Sequence, residues 1–484
     1  MAKRQFSRAA PSQRSRRADS ARMVAFGVLQ AVSDDDAYAN LVLPTAIRRA
    51  ALNKRDAGFA TELTYGTLRG EGTYDAILSR CVDRDLAQLD RPVLDALRLG
   101  SHQLLNMRVT THAAVNETVA LVRDQVGAGP SGLVNAVLRR VAEKPWDEWL
   151  ETITSGAGEV EALALRHAHP AWVVRAMRQS LKLHGRPDDL DALLEADNVA
   201  PQVHLIGLPG VPGGEENLNA AIEAGATPSQ LLDGAAVFSG GEIGLLGGVR
   251  EGSLRVQDIG SQWVARALAE PAVQPGERWL DLCAGPGGKA ALLSALAAEF
   301  EVHLTANEPT PHRAKLVEQA LAPVEDTAWT VRTGDGRTIN ELGTSFDRIM
   351  VDAPCTGLGA LRRRPEARWR RQPSDLAALT ALQQELLDAA AAALAPDGLL
   401  AYVTCSPHMA ETVVQVQDVL RRHSDLRLLD AHEVMTDLAL PGGAELMTQR
   451  PSPADDVAAK CVQLWPHIHG TDAMFFALLQ KEPA

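Results

Sequence analysis

Aromatic residues make up only 4% of the 484 residues, and only five positions are cysteine. The five, at 81, 283, 355, 405 and 461, form no CxxC pair and are odd in number. That excludes a disulfide framework and a cysteine-rich zinc module, and reduced thiols in a cytoplasm are expected. No stretch approaches ~18 uninterrupted apolar residues, which leaves no candidate membrane span. The most apolar run, 379–395, still carries Gln383, Gln384, Glu385 and Asp388, and reads as an alanine-rich helix of a soluble core. No apolar segment follows the basic N-terminus, so no secretory signal is read there. What the chain does have is length and a hydrophobic content of 46%. These suffice for about three domains and exclude a disordered or collagen-like chain.

The net charge of −13 argues against a nucleic-acid partner, but the basic residues are not spread evenly. Lys3, Arg4, Arg8, Arg14, Arg16, Arg17 and Arg22 face Asp19 alone in the first 22 residues. A second run, Arg362, Arg363, Arg364, Arg368, Arg370 and Arg371, contains only Glu366 as an acid. Such runs are often just solvated faces, yet the second one directly follows a chemical motif described below.

Patterning divides the chain into four parts. Residues 1–19 read as a basic, disordered tail. Residues 20–145 read as an all-α domain, because Ala21, Val24, Ala25, Val28, Leu29 and Val32 recur at helical spacing. Similar stretches follow at 55–69, 93–105, 112–123 and 131–141. Residues 146–250 read as a small helical and α/β connector, with strands expected at 204–208 and 235–238. In 251–484 strands are expected at 278–283, 302–307, 328–332, 346–351 and 399–404. They alternate with helices at 288–298, 311–322, 373–394 and 409–423. This predicts a Rossmann-like α/β domain with a mostly parallel sheet and a ligand beyond the strands' carboxyl ends. Strand-like pieces at 461–464 and 474–479 suggest an antiparallel edge.

Leu280–Lys289 reads as a strand, a glycine-rich turn and a helix start, a layout that brings backbone N–H groups to a ligand. Cys283 and Ala290 stand where a Walker A loop needs Gly and Ser or Thr. Gly285, Gly287 and Ala290 fit the relaxed dinucleotide pattern, and Glu308 follows at the second strand's end, where an acid would grip a ribose. These residues alone leave a nicotinamide cofactor and S-adenosylmethionine both open. Asp335, between two glycines after the third strand, is a candidate for an adenine amino group, though a plain Asx turn is the simpler account.

Two cysteines then stand at the ends of neighbouring strands, in Val351-Asp352-Ala353-Pro354-Cys355-Thr356-Gly357 and Tyr402-Val403-Thr404-Cys405-Ser406. No histidine at ligand spacing completes a metal site, and no metal is expected. Such a pair suits cytosine. Its carbon 5 is too electron-poor to attack a methyl donor until a thiolate adds at carbon 6, and a second group must help remove the carbon-5 proton. Lys289 and helix N-termini could lower a thiol pKa. Asp352 could hold the base by its N3/N4 edge, and the base must be unstacked.

With these residues in place, Cys283–Lys289, Asp352–Gly357 and Thr404–Ser406 resemble the signatures of RNA cytosine-C5 methyltransferases of the Sun/NOP type. Residues 256–258 and 469–472 extend the likeness. Residues 55–57, 62–69 and 134–140 resemble the helical domain of the NusB antitermination factor. The resemblance implies an all-α NusB-like domain ahead of a class I S-adenosylmethionine-dependent methyltransferase domain. It implies methylation of carbon 5 of a small-subunit (16S) rRNA cytosine through a covalent cysteine–cytosine intermediate. By position it makes Cys405 the nucleophile and gives Cys355 proton removal and product release, supported by Asp352 and Lys289. DNA cytosine methyltransferases use the Pro-Cys residue instead, so spacing alone leaves the two roles open. Cys283, Ala284, Gly285, Pro286, Gly287, Gly288, Lys289, Glu308, Asp335 and Asp352 would line the S-adenosylmethionine site. Family members often carry Asp at the ribose position, where this chain has Glu308 and Asn307 could share the role. The tail, the helical domain and Arg362–Arg371 would contact phosphates. A cytoplasmic monomer acting on RNA is expected, with transfer RNA or large-subunit rRNA as alternative substrates. A non-catalytic RNA-binding factor is a further alternative.

Overall fold

The computed structural model describes residues 18–240, 243–449 and 452–483. It divides into two compact units, one holding the chain up to Val174 together with Arg363–Arg370, the other holding Arg175–Arg362 and everything from Arg371 onward. All of the expected tail except Ala18 and Asp19 lies outside the described residues. Asp19 belongs to the first helix, since its carboxylate accepts from the Arg22 amide at 3.0 Å as an N-cap.

The first unit is helical throughout its described residues. Helices Ser20–Asp34, Lys54–Arg69, Arg91–Leu105, Thr111–Gln125 and Ser131–Val141 fall where the periodicity places them. Helices Ala39–Arg49 and Glu71–Cys81 escape it. Pro44 interrupts the first pattern, and Gly70 and Gly72 break the second. The unit runs past 145 because the helix Trp146–Thr154 buries Trp149, Leu150 and Ile153 in the same core as Ala96, Val134 and Val141.

In the second unit a small antiparallel sheet comes first. Its strands β1 (Val203–Gly207), β2 (Thr227–Pro228), β3 (Ala235–Phe238) and β4 (Leu254–Val256) lie in the order β2-β3-β1-β4. The main sheet is built from β5 (Arg278–Asp281), β6 (His303–Glu308), β7 (Trp329–Thr333), β8 (Phe346–Asp352), β9 (Leu394–Thr404), β10 (Leu426–Leu428), β11 (Val462–Gln463) and β12 (Phe475–Lys481). Its order is β10-β12-β9-β8-β5-β6-β7, with β11 paired to β12. Strands β5 to β9 are parallel and β12 runs antiparallel to β9, as the alternation predicts. The chain moves outward from β5 to β6 and β7, then returns to the other side of β5 as β8. The switch point therefore lies at the carboxyl ends of β5 and β8, where α/β sheets hold ligands.

Neighbouring residues alternate between two cores. Trp279, Ala401 and Val403 enter one, while Leu280, Leu400 and Tyr402 enter the other. On β8 the buried Arg348 meets Glu277 at 2.7 Å and donates to the carbonyls of Leu268 and Pro271 at 2.7 and 2.6 Å.

The helix expected at 409–423 is broken. A 3-10 turn, Met409–Glu411, precedes the helix Val413–Arg422, with Thr412 at φ −128°, ψ −107° between them. The break turns Glu411 inward. No helix among the described residues is long and apolar enough to cross a membrane.

Candidate active site

The site is assembled at the carboxyl ends of β5, β6, β8 and β9, all within the second unit. After β5 the chain passes through Cys283–Gly287 into the helix Gly288–Glu299. Gly287 has φ +109°, and a Cβ there would stand 2.5 Å from the Ala320 Cβ, so only glycine fits. A Cβ on Gly285 would stand 2.1 Å from Glu308 Oε2. The carboxylate of Glu308, 2% exposed, thus lies directly over the glycine turn. Its Oε1 accepts from the Thr310 amide at 3.0 Å, and Arg313, which donates to the Gly285 carbonyl at 2.8 Å, stands 3.6 Å from Oε2. Asn307 does not share this place. It is fully buried, donates to the Leu282 carbonyl at 3.0 Å and accepts from Arg332. Asp335 caps the turn after β7, and both its oxygens are taken up by Arg337. The Asx-type turn is therefore what the structure contains at this position.

Asp352 ends β8, and its Oδ2 is 2.8 Å from Lys289 Nζ. Burial alone would lower the Lys289 pKa, but the adjoining carboxylate more than offsets it, and the ammonium is favoured. Asp281, wholly buried at the end of β5, is pushed up to about 7 by burial and by Asp352.

The two cysteines meet, with Sγ atoms 3.4 Å apart. The Cys405 thiol is held below its ordinary pKa, first by a hydrogen bond from Cys355 and then by Lys289. Cys355 is raised by that same bond, by burial and by the nearby Glu411. The hydrogen bond from Cys355, which lowers one thiol and raises the other, makes Cys405 the more acidic of the two, while Asp352 and Lys289 act on it in opposite directions. Burial raises Cys283 and Cys461, which leaves both as packing thiols.

Glu411 is the residue that sequence patterning missed. It is completely buried. Its Oε1 accepts from the Thr356 amide at 2.8 Å and from Gln383 at 3.2 Å, while Oε2 accepts from the hydroxyls of Thr356 at 2.5 Å and Ser406 at 2.7 Å. The only available signal was an acid six residues after Cys405, inside a stretch that reads as helix. The 256–258 and 469–472 stretches also come together, since Thr471 donates to Asp258 and the Asp472 amide reaches it at 3.4 Å.

The arginine run does not act as one patch. Arg362 is buried and reaches Asp472 at 3.4 Å and the Gly470 carbonyl at 3.2 Å. Arg368, at 0% exposure in the first unit, donates to the carbonyls of Ala168 and Arg69 at 3.0 and 3.4 Å. Both guanidiniums are buried against these internal acceptors, which argues against either as a phosphate contact. In the same unit Arg370 donates to the carbonyls of Val32, Asp36 and Ala37 and, with Arg364, lies over the Tyr38 ring. Arg364 is exposed and Arg363 half-buried. In the second unit the half-buried Arg371 donates to the Thr356 carbonyl at 3.2 Å.

Among the described residues no group of three or more His, Cys, Asp or Glu could hold a metal. A glycine turn at the switch point, an acid over it and a polar cluster at the next two strand ends suit a nucleoside-containing cofactor, and comparison with known proteins places the chain among methyltransferases of the S-adenosylmethionine-dependent type. The family model for 16S rRNA methyltransferase RsmB/F matches residues 269–480, and that of the NusB family matches 19–143. Ribosomal RNA small subunit methyltransferase B of Erwinia tasmaniensis is 31% identical over 95% of this chain and 98% of its own length. Rv1407 of Mycobacterium tuberculosis, a protein named as a methyltransferase, is 46% identical over 97% of this chain and 98% of its own. The crystal structure of PH0851 has a TM-score of 0.74 at 20% identity, over 95% of this chain and 99% of that one. NSun6 from Pyrococcus horikoshii with SFG has a TM-score of 0.52 at 16% identity, over 64% and 98%. The chain belongs to the RsmB/F family of rRNA methyltransferases and carries a NusB-family domain ahead of its methyltransferase part.

Proposed function

We propose that this chain methylates carbon 5 of a cytosine in small-subunit (16S) rRNA, with Cys405 as covalent nucleophile. The observation that carries the reading is the 3.4 Å approach of Cys355 and Cys405 beside the Lys289–Asp352 pair. Cys405, the more acidic thiol, adds to carbon 6 of the flipped-out base, and carbon 5 becomes nucleophilic. Lys289 engages Oδ2 of Asp352, which leaves Oδ1 to accept from the exocyclic amine of cytosine. Once carbon 5 carries the methyl group, Cys355, after giving up its own thiol proton to water, removes the carbon-5 proton, which restores the ring's double bond and expels Cys405 as a thiolate.

The glycine cradle fits S-adenosylmethionine. A side chain at 285 would run into the Glu308 carboxylate, which overlies the turn to accept from ribose hydroxyls, and the helix that starts at Gly288 would offer its first N–H groups. Cys283–Lys289, Glu308 and Asp352 would line that site, and Asp335 would join it once released from Arg337. Bound there, S-adenosylmethionine supplies an electrophilic methyl group. Arg363, Arg364 and Arg371 remain as phosphate contacts from the basic run.

The test uses unmodified small-subunit rRNA and labelled S-adenosylmethionine. Wild type is expected to methylate one cytosine, Cys405→Ala none, and Cys355→Ala to accumulate a denaturation-resistant protein–RNA adduct. An adduct with Cys405→Ala instead would reverse the thiol roles, and methylation confined to transfer RNA would overturn the substrate.

A further inference from the structure

We propose that Glu411 is the positioning residue that holds the two thiols in register, an inference that rests on the two-cysteine reading above. Cys355 and Cys405 sit on turns that leave paired neighbouring strands, and the backbone already brings the turns together: the Ala353 amide donates to the Val403 carbonyl and the Gly359 amide to the Cys405 carbonyl, each at 2.9 Å. Those bonds leave the two residues that adjoin the thiols to be tied to each other by side chains, and Glu411 ties them. Thr356, next to Cys355, gives it both an amide and a hydroxyl, and Ser406, next to Cys405, gives a hydroxyl. Thr356 Oγ1 and Ser406 Oγ, brought to one carboxylate oxygen, stand 3.1 Å apart.

The anchor is itself fixed. Gln383 donates to Glu411 Oε1 and, at 2.8 Å, to the Pro354 carbonyl, so it joins the same turn. Tyr402, on β9, donates to the Glu411 carbonyl at 2.8 Å. Four donors converge on a fully buried side chain, and an alanine there would take the shared acceptor from all four, leaving the Thr356 amide without its carboxylate partner. The acid also lies on the Cys355 side of the pair, where it favours the protonated thiol and leaves Cys405 as the acidic partner.

A ruler independent of RNA and cofactor tests this. Diamide oxidises two adjacent thiols to a disulfide and takes up both protons and both electrons as its hydrazine. The rate of the Cys355–Cys405 disulfide, read by peptide mass mapping of the full chain, therefore reports thiol register. Glu411→Ala is expected to slow it by about tenfold or more and to lower kcat by about a hundredfold, with KM for RNA within about threefold of wild type. Glu411→Gln is expected to recover most of both, because its amide can donate to hydroxyls that rotate to accept. Should Glu411→Ala fail to fold, Thr356→Val and Ser406→Ala each remove one link and are expected to slow the disulfide about threefold or more. Unchanged oxidation and kcat in these folded variants would overturn the proposal. So would losses that merely track a lowered Tm and vanish on cooling. A slowed disulfide in an enzyme that forms no RNA adduct would retain the positioning role and overturn only the cytosine chemistry.

Discussion

Lys289 Nζ stands 2.8 Å from Asp352 Oδ2, joining the first residues of the helix after β5 to the last residue of β8 across the switch point. The Cys355 hydrogen bond is the largest cause that lowers the Cys405 pKa; of the pair, the Asp352 carboxylate raises it and the Lys289 ammonium lowers it. The two causes that lower it can be separated by experiment.

The rate of Cys405 alkylation by iodoacetamide, followed against pH, is expected to turn on below the ordinary thiol value of about 8.5 in the wild type. Both Cys355→Ala and Lys289→Met weaken what stabilises the thiolate, so both move the midpoint to higher pH. The shift is larger for Cys355→Ala. A midpoint that stays put in both variants would show that neither group tunes the nucleophile.

Asp281 ties the stability of the second unit to pH. Its carboxyl is pushed up to about 7 in the folded chain, against about 3.9 when unfolded. The folded state therefore holds that proton more tightly, and stability from this group falls as pH rises from about 4 to 7. Asp281→Asn keeps an acceptor for the Cys283 amide, which Asp281 receives at 3.3 Å, but has no proton to lose. It is expected to be more stable than wild type at pH 8 by about 2–4 kcal/mol, with little gain at pH 4. Denaturant unfolding at the two pH values measures both.

Two arginines four residues apart are expected to behave oppositely. Arg368→Ala empties a fully buried site and takes a donor from the carbonyls of Arg69 and Ala168, which costs about 2–4 kcal/mol and lowers Tm. Arg364→Ala, at an exposed position, changes stability by less than about 1 kcal/mol. It is expected to weaken RNA binding and to reduce the salt slope by about one. Thermal unfolding and salt-dependent binding distinguish the two.

Several features of this protein follow from local sequence alone. The helical spacing of Ala25, Val28, Leu29 and Val32, and the apolar runs of β5 to β9, depend on near neighbours in the chain and predict the element types. The glycine turn and the two cysteine motifs are equally local, so the candidate site residues could be named before the fold. Other features depend on contacts between residues far apart in the chain. Arg362 and Arg368 read as part of a basic surface patch, and only packing shows them buried against Asp472 and against the carbonyls of Arg69 and Ala168. Asn307 and Glu308 are adjacent in sequence, but strand alternation sends one side chain into the interior and the other over the glycine turn. Glu411 carries no sequence mark of its role, because its four donors come from Thr356, Gln383 and Ser406 on three separate segments. A polar side chain's function depends on which donors surround it, and for a buried carboxylate the tertiary fold alone supplies them.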